Sequence, residues 1–206
     1  MNGKFITFEG IEGAGKTTTI DMISNFLQEN SLDCIVTREP GGTVIGEKIR
    51  DILLDNKSKL DDKSELLLMF AARNQHINEV IKPALKDNKW VICDRYIDAS
   101  LAYQGYGRGI ELNIISNLIN TYAEDVMPDI TFLLDIDVTS AFLRFEKNRE
   151  KDRFENLNID FFEKVRLGYI DIANKNPKRI KVIDAKKNSE SIANEIIGEI
   201  KKRFDI

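Results

Sequence analysis

Gly10-Ile11-Glu12-Gly13-Ala14-Gly15-Lys16-Thr17 fits the pattern GxxxxGK[ST], a spacing that suits a nucleotide's phosphates. In such a loop successive backbone N–H groups wrap the β-phosphate, and a helix beginning there adds the positive end of its dipole. Gly10, Gly13, Ala14, Gly15 and Thr18 belong to this cradle, Lys16 reaches the β/γ-phosphates, and the Thr17 hydroxyl ligates Mg²⁺. Glu12 is odd there, because a carboxylate beside a triphosphate is unfavourable without a partner. Further polar residues follow apolar runs: Arg38 and Glu39 after Cys34-Ile35-Val36-Thr37, and Asp94 and Arg95 after Trp90-Val91-Ile92-Cys93. A guanidinium at a strand end suits planar, two-pronged recognition of a phosphate. Asp94 either binds Mg²⁺, directly or through water, or orients Arg95. Together with the arginines near residue 150, Arg38 and Arg95 supply more anion-binding capacity than one nucleotide needs, so a second phosphorylated ligand is implied.

The elements that must position these groups follow from periodicity. Lys4 to Phe8 reads as a buried strand before the loop, and Ile20, Ile23 and Leu27 mark one face of the helix after it. Further strands are expected at 34–37, 90–93, 130–134 and 180–183. Helices are expected around Ile45 to Leu53, from Ser64 to Lys86, from Ile114 to Tyr122, from Val138 to Phe145, and in the two apolar-faced segments flanking the last strand. Ser100 to Gly109, with Tyr103, Gln104 and three glycines, reads as a site loop. Strands alternating with helices call for parallel βαβ units, hence an α/β fold with a five-stranded parallel sheet flanked by helices in three α/β/α layers.

Composition bounds the function. With 206 residues, 42% hydrophobic and 31% charged, the chain reads as one globular domain, 1–206. No run approaches the roughly 18 apolar residues of a membrane span, and Met1 leads straight into strand, so no membrane partner and a cytoplasmic location are expected. A net charge of −4 offers nucleic acid no general attraction, which favours a small phosphorylated substrate. Cys34 and Cys93 lie within apolar runs and read as strand thiols, and His76 is the sole histidine, which leaves transition-metal and His-triad chemistry poorly supported. The Asn-Lys pairs at Asn56, Asn88 and Asn174 lack the aspartate of a guanine-reading NKxD motif. A slow ATP-hydrolysing switch that binds a partner is the competing class.

Several blocks together carry a resemblance: Phe8-Glu9 before the phosphate loop, Thr37-Arg38-Glu39-Pro40-Gly41-Gly42-Thr43, Phe70-Ala71-Ala72-Arg73, Asp94-Arg95-Tyr96 and Tyr103-Gln104-Gly105. In this order and over nearly the whole chain, the sequence resembles the bacterial thymidylate kinases, a family of P-loop NTPase fold. The resemblance implies transfer of the γ-phosphoryl of ATP to dTMP with Mg²⁺, in dTTP synthesis, by a homodimer. It implies that Arg95 and Arg38 meet the acceptor phosphate, Glu12 the 3′-hydroxyl and Glu39 the metal or its waters. By the same resemblance Ser100 and Gln104 read the thymine edge, Tyr103 crowds the sugar 2′ position, and Phe70 and Arg73, one helical turn apart, stack on the base and bond its edge. A core role competes for Phe70, because many family members place the aromatic four residues before the arginine, where Met69 stands here. The charged segment at about 144–156 resembles the family's lid. Because Ile11, Glu12 and Ala14 are not basic, the lid is expected to supply the missing arginine, Arg149 or Arg153, with Arg144 over adenine beside Asp184-Ala185-Lys186.

Overall fold

A computed structural model describes residues 3–145, 153–154 and 158–206. At its centre is a parallel sheet in which β1 (Phe5–Glu9) lies between β3 (Trp90–Asp94) and β4 (Ile130–Asp135). The outer strands are β2 (Cys34–Arg38) and β5 (Ile180–Asp184), giving the order β2-β3-β1-β4-β5. Every residue of β1 is buried, as expected for a strand covered on both faces. Because side chains alternate across a strand, Phe5, Val91 and Cys93 share a cluster with Phe70, Ile77, Ile81, Ile115 and Ile119. Ile6, Phe8, Ile92 and Phe132 instead pack with Ile20, Ile23, Ile196 and Ile200. The first set belongs to α3 (Asp62–His76), its continuation, and α6 (Leu112–Tyr122). The second belongs to α1 (Lys16–Glu29) and α9 (Ser189–Phe204).

The remaining helices are α2 (Val44–Leu54), α4 (Lys82–Lys86), α5 (Ile97–Ser100), α7 (Val138–Phe145) and α8 (Ile159–Lys175). Side chains cap most of the longer ones: Thr43 accepts from the Gly46 N–H, Asp61 from Lys63 and Ser64, Asn158 from Phe161, and Asn188 from Ser191. Helix α1 begins differently, on Gly15 with φ 92° and no side-chain acceptor, which leaves its first amides to a ligand.

The expected helix from Ser64 to Lys86 runs as α3, one π-helical turn (Ile77–Ile81) and α4. The segment read as a site loop, 100–109, is largely helical: α5 continues into wider π-helical turns over Leu101–Gly107. Two of its three glycines serve close packing. A Cβ at Gly105 would lie 2.5 Å from Leu112 Cδ2, and one at Gly107 would lie 2.6 Å from Phe161 Cε2. Helices α6 and α8 can therefore press against this segment and hold it rigid.

Candidate active site

The phosphate loop connects β1 to α1 at the carboxyl ends of the strands, where open α/β sheets bind ligands. Gly13 has φ 78°, and a Cβ there would meet the Ala141 carbonyl oxygen at 2.3 Å, so only glycine fits. Lys16 folds back over the loop and donates to the carbonyls of Gly10 (3.1 Å) and Ile11 (3.2 Å). Burial, and then the like charge of Arg95, hold its ammonium below the usual lysine range. Thr17 and Thr18 are exposed in the first turn of α1.

Glu12 has the partner its odd position demanded. Arg95 Nη2 donates to Glu12 Oε1 at 2.7 Å and to the Tyr103 hydroxyl at 3.0 Å, while that hydroxyl donates to Glu12 Oε2 at 2.6 Å. Burial by itself would raise the Glu12 carboxyl. Arg95, Lys16 and the Tyr103 hydrogen bond outweigh burial and hold it below the ordinary range. Arg95 adopts a left-handed backbone, φ 68°, which costs a non-glycine residue about 1 kcal/mol. The turn is pinned on both sides: Arg95 N–H donates to Phe8 O at 2.9 Å, and Tyr96 N–H donates to Glu9 Oε1 at 2.7 Å. Two polar atoms beside it are buried without a partner, Arg95 Nε and Asp94 Oδ1. One is a donor suited to an anion and the other an acceptor suited to a cation.

Two cavities meet at this turn. The first is lined by Glu12, Glu39, Pro40, Met69, Arg73, Arg95, Ser100, Tyr103, Gln104 and Phe154 among others, so six expected substrate residues converge there: Glu12, Arg73, Arg95, Ser100, Tyr103 and Gln104. Ser100, Tyr103 and Gln104 are three and four residues apart on one helical face. The second is lined by Thr17, Asp21, Arg38, Glu47 and Asp94 among others.

Four of the expected site residues are placed as follows. Phe70 is not on the cavity wall: it is buried in the core with Leu66 and Ile77, and Met69, four residues before Arg73 and hence on Arg73's side of the helix, lines the cavity instead. Phe70 supports Arg73 from behind, with the guanidinium 4.8 Å from its ring centroid. Glu39 does not join Thr17 and Asp94. Both its oxygens are taken, by Arg73 Nε at 2.7 Å and His76 Nδ1 at 2.9 Å, and that buried pairing makes it the support of Arg73. Arg38 is half exposed, paired with Glu47 at 2.9 Å, and lies on the Thr17 and Asp94 side. Arg153 is paired within the fold. A buried carboxylate, Glu65, captures its Nη2 at 2.6 Å, and Leu53 O accepts from its Nε at 2.7 Å. Arg149 and most of the expected lid lie outside the described residues. Arg144 donates to Ala185 O at 2.9 Å, beside the segment expected to border adenine.

Sequence reasoning gave no role to Glu9 or Glu65. Each is a buried carboxylate, one ending an otherwise apolar strand and the other in the first turn of α3. A charge within an apolar run was the available signal for Glu9. Nothing in the spacing distinguished Glu65 from a surface residue of a helix start.

Comparison with known proteins agrees with this geometry. The sequence model for "Thymidylate kinase" matches residues 8–196. The chain belongs to the thymidylate kinase family. It is 47% identical to the thymidylate kinase of Nitrosospira multiformis over 192 residues, 93% of this chain and 94% of that one. It is 46% identical to that of Psychrobacter sp. over 206 residues, 98% and 99%. The crystal structure of thymidylate kinase from Ehrlichia chaffeensis superposes with a TM-score of 0.81 at 38% identity, covering 97% of this chain and 100% of that one. The chain is thus a nucleoside monophosphate kinase, a phosphotransferase that converts dTMP to dTDP with ATP.

Proposed function

We propose that the two cavities divide the reaction between them, with dTMP in the chamber of Arg73, Ser100, Tyr103 and Gln104, and the phosphates of ATP over Lys16 and the α1 amides. The observation that carries this is the buried, unpartnered Arg95 Nε next to the unpartnered Asp94 Oδ1, at the junction of the chambers. Arg95 holds the acceptor phosphate through its unpartnered Nε–H while Nη2 stays on Glu12. Phosphoryl transfer asks for positioning and for neutralisation of charge spread over phosphate oxygens, and Arg95 and Lys16 supply both. Mg²⁺ fits the donor set of Asp94 and the Thr17 hydroxyl, since this ion needs only one or two protein oxygens besides phosphate and water. When bound it neutralises charge on the transferring phosphates. Glu12 and Tyr103 border the sugar, where Tyr103 excludes a ribose 2′-hydroxyl. Arg144 and Ala185 border adenine, and Arg149 is the lid arginine of this reading.

The reading includes a cytoplasmic homodimer. Among the described residues no helix is long and apolar enough to cross a membrane. Exposed Val44, Ile45, Ile52 and Leu67 on α2 and α3 give a second copy an apolar face, and light scattering should report twice the mass of one chain. An ADP-release assay with dTMP, dUMP, dCMP and thymidine tests the whole. Turnover with dTMP and none with thymidine is expected, and brisk turnover of another acceptor with none of dTMP refutes it.

A further inference from the structure

Glu65 lies under the base chamber with its side chain 1% exposed, and three side chains donate to it. Gln104 Nε2 is 2.9 Å from Oε1, Arg108 Nη2 is 3.0 Å from Oε2, and Arg153 Nη2 is 2.6 Å from Oε2. The orientation of the amide is forced: a carboxylate paired with two guanidinium groups only accepts, so Gln104 must turn its NH₂ towards it. With one amide N–H spent on Glu65, Gln104 keeps its carbonyl oxygen, its one acceptor group, for the chamber it lines.

The neighbouring group is fixed in the same way. The Ser100 oxygen accepts from Arg73 Nη1 at 3.0 Å, which leaves the Ser100 proton free to donate. Arg73 spends three of its five N–H donors on Glu39, Ser100 and the Tyr96 carbonyl, which fixes its place in the same wall. The wall therefore pairs an acceptor on Gln104 with a donor on Ser100. Thymine and uracil present the complement, an N3–H donor beside the O4 acceptor. Cytosine presents the reverse, an unprotonated N3 beside an N4 amine.

We infer that Glu65 is a specificity-determining residue that never touches the base: it sets which end of the Gln104 amide faces the pyrimidine and so selects an N3–H donor over cytosine. This rests on the placement of dTMP proposed above. Arg108 and Arg153 are part of the device, because both donate to Glu65 Oε2 and so anchor the carboxylate with Oε1 towards Gln104.

The test compares kcat/KM for dTMP and dCMP in the full chain. Glu65→Gln can donate as well as accept, so the Gln104 amide is freed to turn over, and the preference for dTMP over dCMP should fall about 10-fold or more. Glu65→Asp keeps the charge for the two longer arginines but withdraws it from Gln104 by about one carbon–carbon bond. It should shift the ratio the same way by a smaller factor, and it decides the matter if Glu65→Gln fails to fold. In a Gln104→Ala background Glu65→Asp should leave the ratio where Gln104→Ala alone puts it. A purely structural role lowers turnover of both acceptors together. A dTMP:dCMP ratio unchanged in the Glu65 variants overturns the inference, as does a Glu65→Asp effect that persists without Gln104. Failure of the unsubstituted protein to phosphorylate dTMP instead overturns the reading on which it rests.

Discussion

Replacing Glu9 with glutamine should remove most of one pH-dependent term from the stability of this protein. Glu9 ends β1 beneath the Arg95 turn, where it accepts from the Tyr96 N–H and from the Tyr169 hydroxyl, each at 2.7 Å. Burial first, and then the charge of Asp98, push its carboxyl up from the ordinary 4.5 to about 7, against the lowering effect of those hydrogen bonds and of Arg95. A carboxyl raised in the folded state binds more protons folded than unfolded. Its contribution is complete below the unfolded value of 4.5 and drains away as the pH climbs to about 7. At about 1.36 kcal/mol per pH unit, that interval is worth about 3 kcal/mol. Between about pH 5 and pH 8 the natural protein should therefore lose about 2.5 kcal/mol that Glu9→Gln does not. Glutamine is a fair isostere, since its carbonyl can accept from Tyr96 and the Tyr169 hydroxyl can turn to accept from its amide. Urea unfolding of both proteins across this range gives the difference directly. Carboxylates held low, such as Glu12, act in the opposite sense and at lower pH, and they cancel in the comparison. A difference constant to within about 0.5 kcal/mol from pH 5 to pH 8 would refute the argument that Glu9 is folded with its proton.

The other perturbations act on substrate. Arg95→Met removes the unpartnered Nε–H and strands Glu12 beside the phosphates, and should lower kcat/KM for dTMP by roughly 10²–10⁴ while changing the KM for ATP only a few-fold. Near-normal kcat/KM would remove Arg95 from the acceptor site. Met69→Ala should raise the KM for dTMP several-fold with little loss of stability, because Met69 faces the chamber. Phe70→Leu should do the reverse, costing about 1 kcal/mol of stability and leaving KM nearly unchanged, because Phe70 is buried in the core. The opposite pattern in paired unfolding and kinetic measurements would restore Phe70 to the base.

The order of the strands and of the longer helices was legible in the chain because each strand is a short β-branched or aromatic run and each of those helices carries an apolar stripe, whereas 100–109, rich in glycine, read as a loop and folds as helix. The phosphate loop was legible for the same reason: its geometry is built within eight consecutive residues. Arg95, Tyr103 and Gln104 stand in short contiguous blocks, and the fold brings them to one cavity with Ser100. Three matters depended on groups far apart in the sequence. Whether Phe70 or Met69 lines the cavity turns on the rotation of α3 against the sheet, which packing with Phe5, Val91 and Ile115 decides. Glu39 looked available to a metal until Arg73 and His76, more than thirty residues on, were folded onto it. Arg153 looked like a phosphate ligand until Glu65 was brought within 2.6 Å. A charged side chain's type and spacing state what it can bind. Which partner neutralises it is settled only when burial makes an unpaired charge too costly to leave, and that is a property of the assembled fold.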